Sequence, residues 1–304
     1  MTNQRPVPGY DSFFDQKYQN IIYEKDGYVV TITLNRPDKR NPLDRAVTLP
    51  ELNDAISVAE WDDDVKVIIF KGAGEAYSAG FDLSEVGFMY GMVEPKHGET
   101  VRRPSLRMKV LQDRYILGEF MRHVMYCHKT TIAQLHGYCL GGGLMMAEKC
   151  DLILAANDCK IGFVEERLGT GGMTLSPMLV LRIGLTKALE LQITGKMITG
   201  EEAARINLVN RAVPADELDK EVKELANGVA LYSRDGLAAT KTTRHAMYET
   251  FGVGQWFHTA YWSHSLMTNM RWESDEYNFF KERRNQGVQK AAHEKDDFYK
   301  VLDK

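Results

Sequence analysis

Apolar residues in the first part of the chain recur with two different periods, and each period predicts a different element. The run IIYEKDGYVVTITLN alternates around Asp26-Gly27, which predicts two strands joined by a hairpin turn. Between Asp44 and Ala59 the apolar positions recur at mostly helical spacing, and DDDVKVIIFKG then reads as a compact apolar strand. The predicted order is strand, strand, helix, strand.

A similar alternation of helix and strand returns in the middle of the chain. A long helical stretch is predicted from about Leu106 to His128, followed by TIAQLHG as a strand, GLMMAEKC as a helix and DLILAA as a strand. Repeated crossovers favour a parallel or mixed sheet covered by helices, so the predicted class is α/β. From about Asp216 onward the pattern is helical only. Aromatic residues cluster in this part at Trp256, Phe257, Tyr261 and Trp262.

These patterns divide the chain into three predicted parts. Residues 1–19, interrupted by prolines, form an N-terminal arm, residues 20–215 form the core, and residues 216–304 form a helical C-terminal region. Within the core, residues 87–100 contain three glycines and one proline, and we expect them to form a mobile loop.

Composition narrows the class of protein without identifying a function. With 304 residues, 44% hydrophobic and 26% charged, the chain is typical of globular proteins. A net charge of -4 gives no general attraction to nucleic acids or anionic membranes. We interpret a local basic strip as a solvated face, with RNA binding as the open alternative. The strip consists of Arg102, Arg103, Arg107 and Lys109.

Cysteine content and hydropathy indicate the compartment. The four cysteines form no CxxC pair, which predicts reduced and buried thiols. No stretch resembles a signal peptide or approaches the ~20 apolar residues that cross a bilayer. We therefore expect a soluble, cytoplasmic protein without membrane partners. Neither HExxH nor another metal-ligand spacing occurs, so no metal is predicted.

Three segments could carry chemistry. FKGAGEAYSAGFDLSE exposes backbone amides just beyond a predicted strand, where ligands commonly bind in α/β sheets. HGYCLGGGLMM places three glycines before a helix, which suits an anion close to the backbone, although a tight strand-to-helix crossing would need glycines too. CKIGFVEERLGTGG sets Glu165 and Glu166 among apolar residues, where burial can raise the pKa of a carboxyl group towards neutrality.

Taken in order, ITLNRPDKRNPLD, GAGEAYSAGFDL, GYCLGGG with CDLILAA and the Glu165 segment resemble the motifs of the crotonase family, the enoyl-CoA hydratase/isomerase superfamily. The resemblance covers about residues 20–215. It implies a spiral of ββα units, a helical C-terminal region that assembles trimers or dimers of trimers and could cover the active site, and an acyl-CoA substrate without a further cofactor.

The resemblance also assigns roles to individual residues. The backbone amides of Phe81 and Gly142 would hold the thioester oxygen, and Glu165 would act as general acid/base. Lys39 and Arg40 would lie near CoA phosphate groups. Further residues would contact the CoA or acyl group, namely Ser78, Ala79, Gly80, Asp82, Leu83, Gly141 and Met145.

One departure from the family pattern affects the proton chemistry. Two-glutamate hydratases carry a carboxylate at the position of Met145, whose thioether cannot accept a proton from water. Single-glutamate members with a similar GAGEA segment include hydroxycinnamoyl-CoA hydratase-lyases, which use pocket tyrosines. Tyr261 could match one of these and is predicted as catalytic, with helix packing as the alternative, whereas Val86 stands where the other tyrosine would be.

These residues predict an enzyme of the enoyl-CoA hydratase type that adds or eliminates water through a thioester enolate. A hydratase-lyase, a double-bond isomerase and a ring-opening carbon–carbon hydrolase would use the same enolate, so they remain alternatives. A binding protein on the same fold, including an RNA-binding one, is the alternative without catalysis.

Overall fold

The fold is described for residues 18–84, 105–169, 176–265 and 272–303 of a computed structural model. Its strands are β1 Ile21–Asp26, β2 Val29–Leu34, β3 Val67–Gly72, β4 Thr130–Leu135, β5 Tyr138–Leu140, β6 Leu152–Ala156, β7 Lys160–Gly162 and β8 Arg211–Val213. In these ranges β1-β2-β3-β4-β6-β8 form the main sheet, and β5 and β7 form a second, smaller sheet.

The main sheet has the mixed topology that the sequence predicts. β1 and β2 form an antiparallel hairpin with Asp26 opposite Val29, and Gly27 adopts a φ of +56° in the turn. From β2 to β8 all neighbouring strands pair in parallel. All six residues of β4 are buried, as expected for a parallel strand covered on both faces.

Helices connect the strands and form the end of the chain. They are α1 Thr48–Trp61, α2 Leu106–Asp113, α3 Met121–Tyr126, α4 Gly142–Ala147, α5 Pro177–Thr194, α6 Gly200–Arg205, α7 Leu218–Ala230, α8 Arg234–Thr250, α9 Val253–Ser265, α10 Phe279–Gln286 and α11 Val288–Tyr299. The C-terminal region is thus helical, as predicted. None of the described helices is both long and apolar enough to span a bilayer.

Two helix predictions need correction in detail. The helix predicted from Asp44 begins at Thr48, because the Asp44 carboxylate accepts a hydrogen bond from the Val47 amide (2.8 Å) in the turn before it. The long helix predicted to His128 ends at Tyr126, and its middle, Arg114–Phe120, is a π-helix between α2 and α3. Apolar spacing does not distinguish a π segment from an α-helix.

Burial of Lys109 contradicts its predicted place in a solvated basic strip. Its side chain is fully buried, and its ammonium group donates hydrogen bonds to the carbonyl oxygens of His264 and Ser265, both at 2.9 Å. Arg107 is exposed, whereas residues 102 and 103 lie outside the described ranges. Lys109 therefore joins α2 to the end of α9 and is not available to an external polyanion.

The boundary of the predicted N-terminal arm is also packed. Tyr18 packs against the core and donates a hydrogen bond to Asp54 (2.8 Å), and the amides of residues 19 and 20 donate to the Glu51 carboxylate. The remainder of the arm, residues 1–17, and the predicted loop at residues 87–100 lie outside the described ranges. The four cysteines are reduced and buried, as predicted.

Candidate active site

The second sheet brings three chain segments side by side. β5 pairs in parallel with β7, with Cys139 opposite Ile161, and Ser78 forms a parallel bridge to the same Cys139. Phe81 forms a further parallel bridge to Leu43. Because the carboxyl ends of parallel segments meet at one edge, the residues that follow each segment converge. The three glycine-rich or acidic motifs of the sequence thus come together.

Gly80 and Gly142 pack so closely that neither has room for a side chain. A methyl group on Gly80 would lie 2.8 Å from the Leu140 carbonyl oxygen and 3.1 Å from the Gly142 nitrogen. The next amide after Gly80, that of Phe81, therefore lies beside that of Gly142. Neither amide donates a hydrogen bond to any residue within the described ranges. Two backbone donors remain available at this point.

The Glu165 carboxyl group lies against the backbone that precedes α4. Gly141 has φ +50° and ψ -120°, and a methyl group there would lie 2.8 Å from Glu165 Oε1. The Gly141 amide donates to the Gly162 carbonyl oxygen (2.9 Å), which joins the glycine segment to the segment that leads to Glu165. A carboxyl group and two amides thus share one site.

Burial perturbs this carboxyl group strongly. Both Glu165 carboxylate oxygens are buried, and this loss of solvation raises the pKa of Glu165 to about 7. Hydrogen bonds from backbone amides and the charge of Lys295 oppose the rise, whereas the charge of Glu166 adds to it. Because this pKa lies near neutrality, Glu165 can both accept and return a proton under ordinary conditions.

The perturbed pKa of Glu165 predicts a specific dependence of stability on pH. The folded protein holds the proton up to about pH 7, whereas the unfolded chain releases it near its ordinary pKa of about 4.3. Stability is therefore lost as pH rises through this window, by about 3 kcal/mol at most.

We expect Glu165→Gln to remove that dependence. Its free energy of unfolding in urea, compared with the wild type, should be larger at about pH 8 than at about pH 5. A difference between the two proteins that is independent of pH would show that the folded protein does not perturb this carboxyl group.

Opposite Glu165 the site is apolar. Met145, on the first turn of α4, is 4% exposed and packs within the core. A methyl group on Gly142 would lie 2.8 Å from Cε2 of the Phe81 ring, so this ring covers the glycine. The pocket therefore offers thioether and aromatic surface where a second carboxylate would stand in a two-glutamate enzyme.

The predicted CoA-phosphate residues lie on an exposed turn beside the amide pair. Lys39 ends the short 3-10 helix Pro37–Lys39, and Arg40 follows in the left-handed conformation. The Arg40 carbonyl oxygen accepts a hydrogen bond from the Ala79 amide (2.8 Å), and its guanidinium lies 4.8 Å from the centre of the Tyr138 ring. Tyr138 escaped the sequence analysis because its partner lies 98 positions earlier.

The remaining residues predicted to contact CoA form the strip around these amides. Ser78 is fully buried, and its hydroxyl donates to the Asn41 carbonyl oxygen (2.7 Å) and accepts from the Gly80 amide (3.1 Å), so its side chain fixes the strip. Asp82 forms an ion pair with Arg36 (3.4 Å). The predicted role of Asn41 was missed, although its side-chain amide binds two carbonyl oxygens of the glycine loop.

Tyr261 lies on α9, away from the contacts that build the site. Its ring stacks on Trp262 and would touch a methyl group on Gly118 at 3.2 Å. Phe257 is buried and Trp262 is 56% exposed, so the aromatic cluster combines packing and surface positions. No described contact joins Tyr261 to Glu165, Phe81 or Gly142, and its catalytic role stays a prediction.

Two further predictions concern polar groups near the site. His136 acts structurally, as its Nε2 atom lies 2.9 Å from the Gly74 carbonyl oxygen, and burial lowers the pKa of its imidazole. Within the described ranges there is no group of three histidine, cysteine or acidic side chains that could hold a metal ion.

Known proteins share both the sequence and the architecture. Residues 24–287 match the model of the family described as enoyl-CoA hydratase/isomerase. A probable mitochondrial enoyl-CoA hydratase of Dictyostelium discoideum is 32% identical over 85% of this chain and 89% of its own. A short-chain-enoyl-CoA hydratase of Clostridium acetobutylicum is 34% identical over 69% of this chain and 75% of its own. A crystal structure of an enoyl-CoA hydratase/isomerase from Xanthobacter autotrophicus superimposes with a TM-score of 0.77 at 30% identity, covering 92% of this chain and 98% of the other.

Proposed function

Since the chain belongs to the enoyl-CoA hydratase/isomerase family, we propose that it adds water to the double bond of an enoyl-CoA thioester. The observation that carries this proposal is the convergence of one buried carboxyl group, Glu165, with two available amides, those of Phe81 and Gly142. The thioester oxygen would accept hydrogen bonds from both amides, with the acyl chain between the Phe81 ring and Met145.

Water addition needs a base at one carbon and an acid at the next. The water oxygen bonds to C3, and the electron pair of the double bond moves to the thioester oxygen, which gives an enolate. The two amides stabilise its charge, a contribution of about 3 kcal/mol for each such donor in other enzymes. Glu165 accepts the proton that leaves the water and delivers a proton to C2, so the carboxylate is regenerated.

A single carboxylate suffices for this cycle because its pKa is near neutrality. Met145 cannot share the water, so Glu165 performs both proton transfers. The carboxylate form starts the reaction in both directions, as it must accept a proton from water in hydration and from C2 in elimination. The rate should therefore rise with pH through about 7, the pKa of Glu165.

Substrate binding follows from the residues around the amides. We propose that Lys39 and Arg40 attract the CoA phosphate groups and that the backbone from Ser78 to Leu83 contacts the adenine. No cofactor besides the CoA of the substrate is needed. The exposed apolar residues Leu181 and Leu185 on α5 support assembly into a trimer or a dimer of trimers. A cytoplasmic location stays a prediction, since one relative is named mitochondrial.

Packing supports the proposed division of the chain. Residues 20–215 contribute the amides and Glu165, whereas α10 and α11 of the C-terminal region pack against Leu168 and so cover the segment that carries Glu165. The region after residue 215 would thus combine an oligomerisation surface with an active-site cover.

Product analysis tests the proposed reaction. Straight-chain, branched and aromatic enoyl-CoA thioesters are incubated with the protein, and the products are weighed by mass spectrometry. Addition of one water to the intact thioester supports the hydratase. A shifted double bond would identify an isomerase, and a shortened acyl chain would identify the hydratase-lyase or hydrolase that the likeness to hydroxycinnamoyl-CoA enzymes suggests. No turnover of any thioester would favour a binding protein.

A further inference from the structure

A buried arginine stands two residues after the proposed catalytic glutamate. Arg167 belongs to the 3-10 helix Glu165–Leu168, and its side chain is only 2% exposed. The guanidinium forms a two-pronged ion pair with Asp303, with 3.1 Å between Nη1 and Oδ2, and Nε donates to the Thr194 carbonyl oxygen (3.3 Å). The last described residue of the chain is thereby tied to the segment that carries Glu165.

Apolar packing of the C-terminal region reinforces this tie. Leu168 packs with Phe279, Phe280 and Ala291 from α10 and α11. A methyl group on Gly169 would lie 2.7 Å from the indole nitrogen of Trp272. On the other side of the site, the Arg283 guanidinium of α10 donates a hydrogen bond to the Leu83 carbonyl oxygen. The C-terminal helices thus contact both flanks of the site.

The short 3-10 helix cannot fix the direction of Glu165 by itself. Its printed backbone bonds are those from the Arg167 amide to the Val164 carbonyl oxygen (3.1 Å) and from the Gly169 amide to the Glu166 carbonyl oxygen (2.9 Å). Such turns have poorer hydrogen-bond geometry than α-helices. Side-chain anchors must therefore hold it, and Arg167 is its largest buried side chain.

We propose that the Arg167–Asp303 ion pair, called the clasp below, positions Glu165 and keeps water from its carboxyl group. Both members are positioning residues, since they act through Glu165 and do not touch the proposed substrate. A buried guanidinium is costly unless it is paired, so the clasp makes attachment of the chain end a condition for a well-ordered 3-10 helix. The inference rests on the proposed role of Glu165.

Several charged groups surround Glu165 and the clasp, and any test of pH dependence must account for them. On the 3-10 helix they are Glu166 and Arg167, on α11 they are Lys295, Asp296 and Tyr299, and near Asp303 there is also Lys196. The Lys295 ammonium pairs with Asp296 (3.1 Å), and its charge lowers the pKa of Glu165. Opening of the clasp admits water and lowers this pKa further.

The test compares Asp303→Asn with Asp303→Glu and with a chain that ends at Val301. Asp297→Asn is the matched control, because Asp297 is an exposed acidic residue of the same region. For each protein we measure kcat and KM against pH, and titrate the carbon-13 signal that Glu165→Gln removes from the spectrum. Circular dichroism confirms that each variant is folded.

With Asp303→Asn and with the shortened chain, the pKa of Glu165 should fall by about one unit or more towards its ordinary value of about 4.3. The rate constant kcat should fall by between about tenfold and a hundredfold from misplacement of the carboxyl group, with KM nearly unchanged. Asp303→Glu should restore part of both losses, and Asp297→Asn should behave as the wild type.

Wild-type titration of Glu165 in both Asp303→Asn and the shortened chain would overturn the clasp, whatever the activity. Loss of turnover in Glu165→Gln together with that result would leave the proposed function intact. Conversely, full turnover in Glu165→Gln would refute the proposed function, while the titration would still show whether the clasp controls the carboxyl group.

Discussion

Replacing Glu165 with glutamine is expected to lower kcat for hydration by between about a hundredfold and ten-thousandfold, the usual range for loss of a general acid/base. Glutamine has nearly the same shape and fits beside Gly141, so the Kd of a saturated acyl-CoA should stay near the wild-type value. An amide cannot accept the proton of water or return one to C2. Steady-state kinetics and calorimetry measure the two quantities separately.

The matched control for this prediction is Glu166→Gln. Glu166 neighbours Glu165 on the same 3-10 helix, and its charge raises the pKa of Glu165 only as a secondary effect. Turnover of Glu166→Gln should therefore stay near that of the wild type. If the two variants lost activity equally, the loss would come from the helix and not from the carboxyl group of Glu165.

Removing the Gly142 amide hydrogen should have the second large effect. In a Phe81→Ala background, where no ring meets a new side chain, we compare Gly142→Pro with Gly142→Ala. Proline lacks the N–H group and is tolerated at the first position of a helix, which Gly142 occupies in α4. The proline variant should lose about a hundredfold more in kcat/KM than the alanine variant, which corresponds to one oxyanion donor.

The comparison isolates the donor because both variants place carbon at the same position. The Phe81→Ala background keeps the backbone amide of residue 81 and removes the ring that lies 2.8 Å from a Gly142 methyl group. Equal kcat/KM values for the proline and alanine variants would mean that the thioester oxygen does not use the Gly142 amide.

Local sequence patterns predicted most elements because their physical causes are local. The alternation around Gly27 gave the hairpin, and the apolar runs gave β3, β4 and β6, because a residue's period and its burial are coupled within one element. The convergence of Phe81, Gly142 and Glu165 came from the family resemblance. Spacing alone cannot show that β5 and β7 pair, since three residues are too short to stand out as strands.

The rest of the site depends on contacts between distant positions. Arg167 and Asp303 are 136 residues apart, and only the folded chain shows that a guanidinium among apolar residues has a carboxylate partner. Lys109 illustrates the same limit, because a lysine on a polar-looking helix turned out to bind carbonyl oxygens at the end of α9. Charges are assigned to the surface by default, so buried charges with remote partners are the residues that sequence analysis misplaces.

The most direct test of the account follows the proton and the oxygen in one turnover. The enoyl-CoA substrate identified by product analysis is hydrated in heavy water enriched in oxygen-18, and the product is examined by mass spectrometry and NMR. We predict one deuterium at C2 and one oxygen-18 at C3 from the wild type, and neither from Glu165→Gln on the same timescale. Wild-type incorporation of both labels by Glu165→Gln would contradict the central claim that this one carboxyl group transfers the proton beside an enolate held by two backbone amides.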